Sequence, residues 1–232
     1  MMDNKADILE IFSSVQGEGL QIGQRQIFVR FKGCNLDCTF CDTDKSQAAI
    51  TCDIDEILER IDSLNISNIH NSVAITGGEP LLYSKFLKRL LPKVKERGLK
   101  IFFETNATLT KNLSDVIEYL DTISVDIKLP SVGGNKPCWQ EHKSFLEVAF
   151  DKEFFIKVVV SSSIEIAEFD KAIELVKEMS FDIPFIIQPE TKKACCELNI
   201  SAVELLSLQE RALKLLNNVL VIPQAHKMMG IR

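Results

Sequence analysis

This sequence predicts an α/β fold built on a largely parallel sheet, on three observations. Short apolar runs bounded by turn residues alternate with amphipathic stretches through most of the chain. Most of those runs are apolar throughout, as strands are when both faces of a sheet are covered. Polar, glycine-punctuated motifs recur at the ends of the runs, where parallel α/β folds gather their sites. Such alternation requires crossover helices. It does not separate an open, doubly wound sheet from a barrel. No repeat, low-complexity tract or linker divides the 232 residues, so one domain spanning 1–232 is expected. A chain of that length buries about 70–75% of its unfolded surface.

The elements follow in order. Asp7 to Phe12 is an apolar run that reads as a short strand, and Ser13 to Gly19 as a polar loop. Arg25 to Phe31 alternates, with Ile27, Val29 and Phe31 on one face and Arg30 on the other. A cysteine-rich loop comes next. Asp53 followed by Glu56 is a capping box, and Ile57, Leu58, Ile61 and Leu64 continue a helix from it. Ser72 to Thr76 is a buried strand ending at Gly77-Gly78-Glu79-Pro80, and Phe86 to Val94 marks the next helix. Leu99 to Glu104 is a strand, Thr105 to Thr108 a turn, Leu113 to Leu120 a helix and Thr122 to Ile127 a strand. Pro130 to Pro137 is the most loop-like stretch. A helix over Glu141 to Ala149, a strand over Phe154 to Val160, a helix over Ile166 to Met179 and a strand over Ile183 to Gln188 follow. Ser201 with Glu204 caps a helix running to about Leu216, and Val219 to Ile222 is a last strand before the tail from Pro223 to Arg232.

A net charge of −6 argues against bulk nucleic-acid binding, which needs a basic surface. No apolar run approaches the roughly 18 residues of a membrane span. Met1 to Glu10 is polar and mixed in charge, unlike a secretory leader. Of seven cysteines, three are clustered, which in a reducing, cytoplasmic compartment means metal rather than disulfide. The other four suit packing or surface roles, with Cys195-Cys196 the pair of note.

The clustered thiols are Cys34, Cys38 and Cys41, spaced C-x₃-C-x₂-C. One short loop can wrap that spacing around one metal centre. Closed electron-transfer clusters take four cysteines, so three leave a four-iron cluster with one iron lacking a protein ligand. A structural zinc site needs four ligands, and His70 and His142 lack paired spacing to supply one. Gly77-Gly78-Glu79, Glu104-Thr105-Asn106, Asp126-Ile127-Lys128 and Gln188-Pro189-Glu190 each stand at a strand's end. Together they would line one rim facing the cysteine loop.

The cysteine spacing, the aromatic Phe40 before the last cysteine and the Gly77-Gly78-Glu79-Pro80 segment resemble the radical S-adenosylmethionine (SAM) superfamily. Phe12 to Gly19, Arg30, Cys41-Asp42-Thr43 and the ending Pro223 to Arg232 resemble the 7-carboxy-7-deazaguanine synthase family within it. The resemblance implies an abbreviated, incomplete (β/α) barrel of the radical SAM type, a homodimer, and a reducing flavodoxin or ferredoxin as partner. It implies conversion of 6-carboxy-5,6,7,8-tetrahydropterin to 7-carboxy-7-deazaguanine with loss of ammonia. The chemistry would start from a 5′-deoxyadenosyl radical, with SAM used catalytically. Residue by residue, Cys34, Cys38 and Cys41 would hold a 4Fe–4S cluster and Thr43 would ligate Mg²⁺, a cation that accepts few protein oxygens. SAM would lie against Phe40, Cys41, Asp42, Gly78, Asp126, Ile127, Lys128, Gln188, Pro189, Glu190 and Thr191. The glycines let backbone approach its ammonium. Val15, Gln16, Gly17, Glu18 and Thr76 would meet the pterin, Arg30 its carboxylate by a charge-assisted bond, and the Arg232 chain end would reach it too.

Two departures stand out. Ala107 occupies a position where the family often has Gly, and Ala tolerates positive φ poorly, so that turn is expected to differ. Asp126 stands where many members have Ser. Two competing readings are a glycyl-radical-enzyme activase, which shares the cysteine spacing, and a non-enzymatic iron–sulfur module. The Ser14-to-Gly19 loop and the His226-to-Arg232 ending favour a small pterin over the first; the strand-end motifs argue against the second.

Overall fold

A long strand, β1 (Lys5–Val15), turns back along β2 (Arg25–Phe31) as an antiparallel hairpin; β3 (Ile50–Asp53) adds antiparallel to the other side of β1, and the strands that continue the sheet from β2 pair in parallel. The computed structural model describes residues 4–44, 46–192 and 197–231. Arg232, Cys195 and Cys196 lie outside the described residues.

The remaining strands are β4 (Ser72–Gly77), β5 (Lys100–Thr105), β6 (Thr122–Ile127), β7 (Glu153–Val160), β8 (Phe185–Pro189) and β9 (Val219–Val221). They form one open sheet in the order β3-β1-β2-β4-β5-β6-β7-β8-β9. The crossovers carry the main helices α1 (Ile54–Leu64), α2 (Ser84–Lys95), α5 (Trp139–Ala149), α6 (Ile166–Met179) and α7 (Ala202–Leu213), with short helices α3 (Thr110–Leu113), α4 (Pro130–Gly133) and α8 (Ala225–Met229). Both predicted capping boxes form: Asp53 with Glu56 starts α1 and Ser201 with Glu204 starts α7. Among the described residues no helix is long and apolar enough to cross a membrane.

The first hairpin was not legible as such. Ser13 to Val15 belong to β1 rather than to a loop, because they pair with Arg25 to Ile27 across the turn. β3 was also missed, being four residues long and half exposed. The continuous helix expected over Leu113 to Leu120 is instead α3 followed by a single 3-10 turn at Ile117–Tyr119. Short polar side chains break it by bonding elsewhere. Asn112 Nδ2 donates to the Leu81 carbonyl (2.9 Å), and Asp115 accepts from the Ser84 hydroxyl (3.0 Å). The Pro130–Pro137 stretch holds one helical turn, ended by Gly134 at φ +70°.

The two-residue strand period builds the site. Ile27, Val73, Ile101, Ile123, Ile156 and Phe185 face the helices and join the main core with Leu87, Phe145 and Phe169. The opposite face carries a smaller apolar layer of Phe28, Ala74, Phe102, Phe155 and Ile186. The loop after β1 covers the Phe155 part of this layer. Gly19 sits at φ +66°, and a Cβ there would come within 2.5 Å of the Phe155 ring. Two residues further along each strand the same face turns polar, with Arg30, Thr76, Glu104, Asp126, Lys157 and Gln188. All but Lys157 are one step from the carboxyl ends of parallel strands, and the long Lys157 side chain reaches the same rim from the middle of β7, where it meets Asp126.

Candidate active site

That polar rim is the floor of a cavity of about 480 Å³. Its walls are the cysteine loop on one side and the Val15–Glu18 loop with Gln224 and His226 on the other.

The cysteine loop is held mostly by backbone and amide groups. It leaves β2 beside Gly77 and Gly78. Gly78 N–H donates to the Phe31 carbonyl (3.1 Å) and Glu79 N–H to the Gly33 carbonyl (2.8 Å). A Cβ on Gly77 would lie 2.2 Å from the Phe31 oxygen, and one on Gly78 2.1 Å from the Gly33 oxygen. The paired glycines are thus required by the neighbouring chain, whatever else they admit. Glu79 is fully buried and joins this turn to the end of β5. It accepts from Leu81 N–H (3.0 Å), Asn106 N–H (2.7 Å) and the Thr105 hydroxyl (2.9 Å). Burial pushes its pKa up to about 7 against the pull of those donors. Asn106 Nδ2 donates to Asn35 Oδ1 (2.9 Å), and Asn35 Nδ2 to the Thr108 hydroxyl (2.8 Å). Ala107 between them keeps φ at +55°. The fully buried alanine is held in the left-handed region that it tolerates poorly.

The opposite wall is held by charge. Lys157 rises from the middle of β7, and its ammonium meets Glu18 Oε2 at 2.5 Å and Asp126 Oδ2 at 3.3 Å. Lys128 meets Asp126 at 2.7 Å and lies over the Phe40 ring, 5.1 Å from its centroid. Burial alone would push the Glu18 carboxyl up. The Lys157 ammonium and the Gln224 amide (2.8 Å) override it and hold the group well below the usual carboxylate range. Burial would likewise lower Lys157, but Glu18, Asp126 and Glu104 keep it firmly protonated. Gln16 donates to Glu104 Oε1 (3.1 Å) and accepts from the Glu18 N–H (3.0 Å), while the Thr76 hydroxyl donates to Glu104 Oε2 (2.8 Å). Arg30 presents Nε to Glu10 at 2.8 Å. Gly17 makes room for His226: a Cβ there would lie 2.4 Å from its ring nitrogen.

A model of the radical SAM superfamily matches residues 28–183. The chain is 40% identical to the 7-carboxy-7-deazaguanine synthase of Geobacter sulfurreducens over 97% of each chain. It is 35% identical to that of Methanothermobacter thermautotrophicus over 98% of each. This chain is a radical SAM enzyme of the 7-carboxy-7-deazaguanine synthase family. Its fold is similar to the crystal structure of QueE from Escherichia coli, with a TM-score of 0.66 and 22% identity over 96% of this chain and 95% of that one. The incomplete barrel is the fold these synthases were expected to have.

Cys34, Cys38, Cys41 and Thr43 line the synthase cavity. So do Val15, Gln16, Gly17, Glu18, Arg30, Phe40, Asp42, Thr76, Gly78, Asp126, Lys128, Gln188, Glu190 and Thr191. Ile127 and Pro189 do not: Ile127 belongs to the main core and Pro189 is buried at the end of β8. Arg232 lies outside the described residues.

The residues present fit a cluster and SAM. Among the described residues, the only three metal-capable side chains whose ligand atoms lie within 4.8 Å of one another are Glu18, Asp42 and His226. The three cysteine sulfurs are more widely spread than three ligands on one zinc ion, where Zn–S is about 2.3 Å. Two buried acceptors on the rim, Asp126 Oδ1 and Gln188 Oε1, have no partner in the protein, and ligand N–H or O–H groups would satisfy them. Sequence reasoning missed Lys157, Gln224 and Glu10. Lys157 left a signal, a single cation inside the apolar run Phe154 to Val160. Gln224 stood inside the Pro223-to-Arg232 ending without a role of its own, and Glu10 left no signal, since their roles depend on contacts 206 and 20 residues away.

Proposed function

We propose that this chain converts 6-carboxy-5,6,7,8-tetrahydropterin to 7-carboxy-7-deazaguanine. One observation carries the reading: the cysteine loop, the Gly77–Gly78 turn and the residues expected to hold the pterin surround a single cavity. At about 480 Å³ it falls among small-molecule sites, which span roughly 300–1,000 Å³. That supports a pterin over the backbone glycine of a protein partner.

Cys34, Cys38 and Cys41 would hold the 4Fe–4S cluster, and the strand-end rim would hold SAM. When bound, these two supply the one-electron cleavage that starts hydrogen abstraction from the substrate. The chain's own residues do the rest. Arg30, fixed by Glu10, orients the substrate carboxylate. Glu18, kept ionised by Lys157, accepts from the amino-pyrimidine N–H groups, with Gln16 beside it. Phe12, Phe28 and Phe40 line the cavity with apolar surface that limits water. Thr43 would offer a hydroxyl oxygen to Mg²⁺. A flavodoxin or ferredoxin would supply the electron, in the cytoplasm, to a single-domain protein working as a homodimer.

The test is an anaerobic assay of iron-reconstituted protein with dithionite, SAM, Mg²⁺ and 6-carboxytetrahydropterin, followed by mass spectrometry. A 7-carboxy-7-deazaguanine peak absent in Cys38→Ala is the expected result. 5′-Deoxyadenosine without that product would replace the pterin by another substrate. Neither product from cluster-loaded protein would overturn the enzymatic reading.

A further inference from the structure

The loop after β6, from Pro130 to Cys138, takes no part in lining the cavity. It packs behind the cysteine loop. Thr39 N–H donates to the Gly133 carbonyl (3.0 Å) and the Thr39 hydroxyl to the Val132 carbonyl (2.9 Å). Asn135 completes the contact from both ends of its amide. Its Oδ1 accepts from Asp37 N–H (3.0 Å), and its Nδ2 points at Cys38 Sγ (3.0 Å). A backbone N–H can only donate, so Asp37 fixes which end of the amide is oxygen and leaves the NH₂ facing sulfur. The second Nδ2 hydrogen has the Gly133 carbonyl at 3.3 Å. Gly133 also leaves the space, since a Cβ there would sit 2.9 Å from Nδ2.

We infer that Asn135 is a positioning residue that sets the reduction potential of the cluster through an N–H···S bond to Cys38. This rests on the reading of Cys34, Cys38 and Cys41 as cluster ligands. Reduction adds negative charge to the cluster and its thiolates. A donor aimed at a ligand sulfur stabilises that charge and raises the potential. Two longer amide contacts reach Cys34, from Leu36 N–H at 3.4 Å and Asn106 Nδ2 at 3.7 Å. Asn135 itself is absent from the cavity wall and reaches the site only through the cysteine loop.

The experiment compares wild type, Asn135→Ala and Asn135→Asp after anaerobic reconstitution. Iron and sulfide are assayed, then the cluster is titrated potentiometrically without SAM, with the reduced state followed by electron paramagnetic resonance. Asn135→Asp keeps the acceptor for Asp37 N–H and swaps the donor for a carboxylate oxygen. Its ratio of reduced to oxidised cluster at fixed potential is expected to fall at least about tenfold, a shift of about 59 mV for one electron. Asn135→Ala is expected to fall about three- to tenfold. If Asn135→Asp keeps the wild-type potential, Asn135 only clamps the loop and the inference is overturned, whatever Asn135→Ala does. Should Asn135→Ala fail to load iron, Asn135→Asp decides alone. A wild-type protein that loads no cluster overturns both the inference and the reading beneath it.

Discussion

The two walls of the cavity are built by different forces. The cysteine wall is neutral: carbonyls, amides and the missing Cβ atoms of Gly77 and Gly78 hold it against Phe31 and Gly33. The Glu18 wall is ionic: Lys157, Asp126 and Lys128 lie in a buried cluster of alternating charge. The first tolerates almost no added volume. The second tolerates modest changes of shape and depends on every charge being matched.

The largest expected effect comes from unbalancing the ionic wall. Lys157→Met leaves Glu18 and Asp126 facing each other's field without their shared cation. Removing one partner of a buried pair costs about 3–5 kcal/mol, and the open cavity moderates this toward about 3, measurable by denaturant titration. In wild type the depressed Glu18 pKa means its contribution is complete above the ordinary 4.5 and is lost only in strong acid. In Lys157→Met, burial raises Glu18, so substrate KM should climb as pH falls from 7 to 5. A flat KM across that range would show that Glu18 stays ionised without Lys157.

The neutral wall should break by volume instead. Gly78→Ala drives a methyl into the Gly33 carbonyl and should cost about 2–3 kcal/mol. Iron loading should fall, and no pH from 6 to 9 should restore it. Glu79 is the exception that sharpens the contrast, a titratable group inside the neutral wall. Its raised pKa, about 7 against 4.5, makes the folded state bind more protons between those values. Stability should therefore fall as pH rises from 4.5 to 7. Glu79→Gln should remove that slope and cost about 1–3 kcal/mol by turning a donor toward the Asn106 N–H or the Leu81 N–H. The smallest effect is expected at Ala107. Gly relieves a left-handed alanine worth about 1 kcal/mol, while unfolded-chain entropy and the lost buried methyl offset it. Ala107→Gly should move the melting midpoint by no more than a few degrees, with iron loading unchanged.

The same contrast explains what was legible in the sequence. Strand and helix order could be read because each apolar run is local, and the capping boxes at Asp53 and Ser201 are four-residue signals. The cysteine wall was legible because its requirements, three thiols and two glycines, sit in contiguous motifs. Lys157, Gln224 and Glu10 escaped because charge pairing between β7, the first loop and the chain's end exists only after folding. The broken helix after Thr110 failed for the related reason that Asn112 and Asp115 are anchored by partners about 30 residues away.

A barrel that stops short of closure leaves two strands with unpaired backbone, which other chains could extend. Here those exposed borders are β3, four residues long, and β9, three residues long. An incoming strand could form few ladder bonds on either. Brevity at these two margins limits the ladder that an added strand could build on them, work that a closing strand would otherwise do.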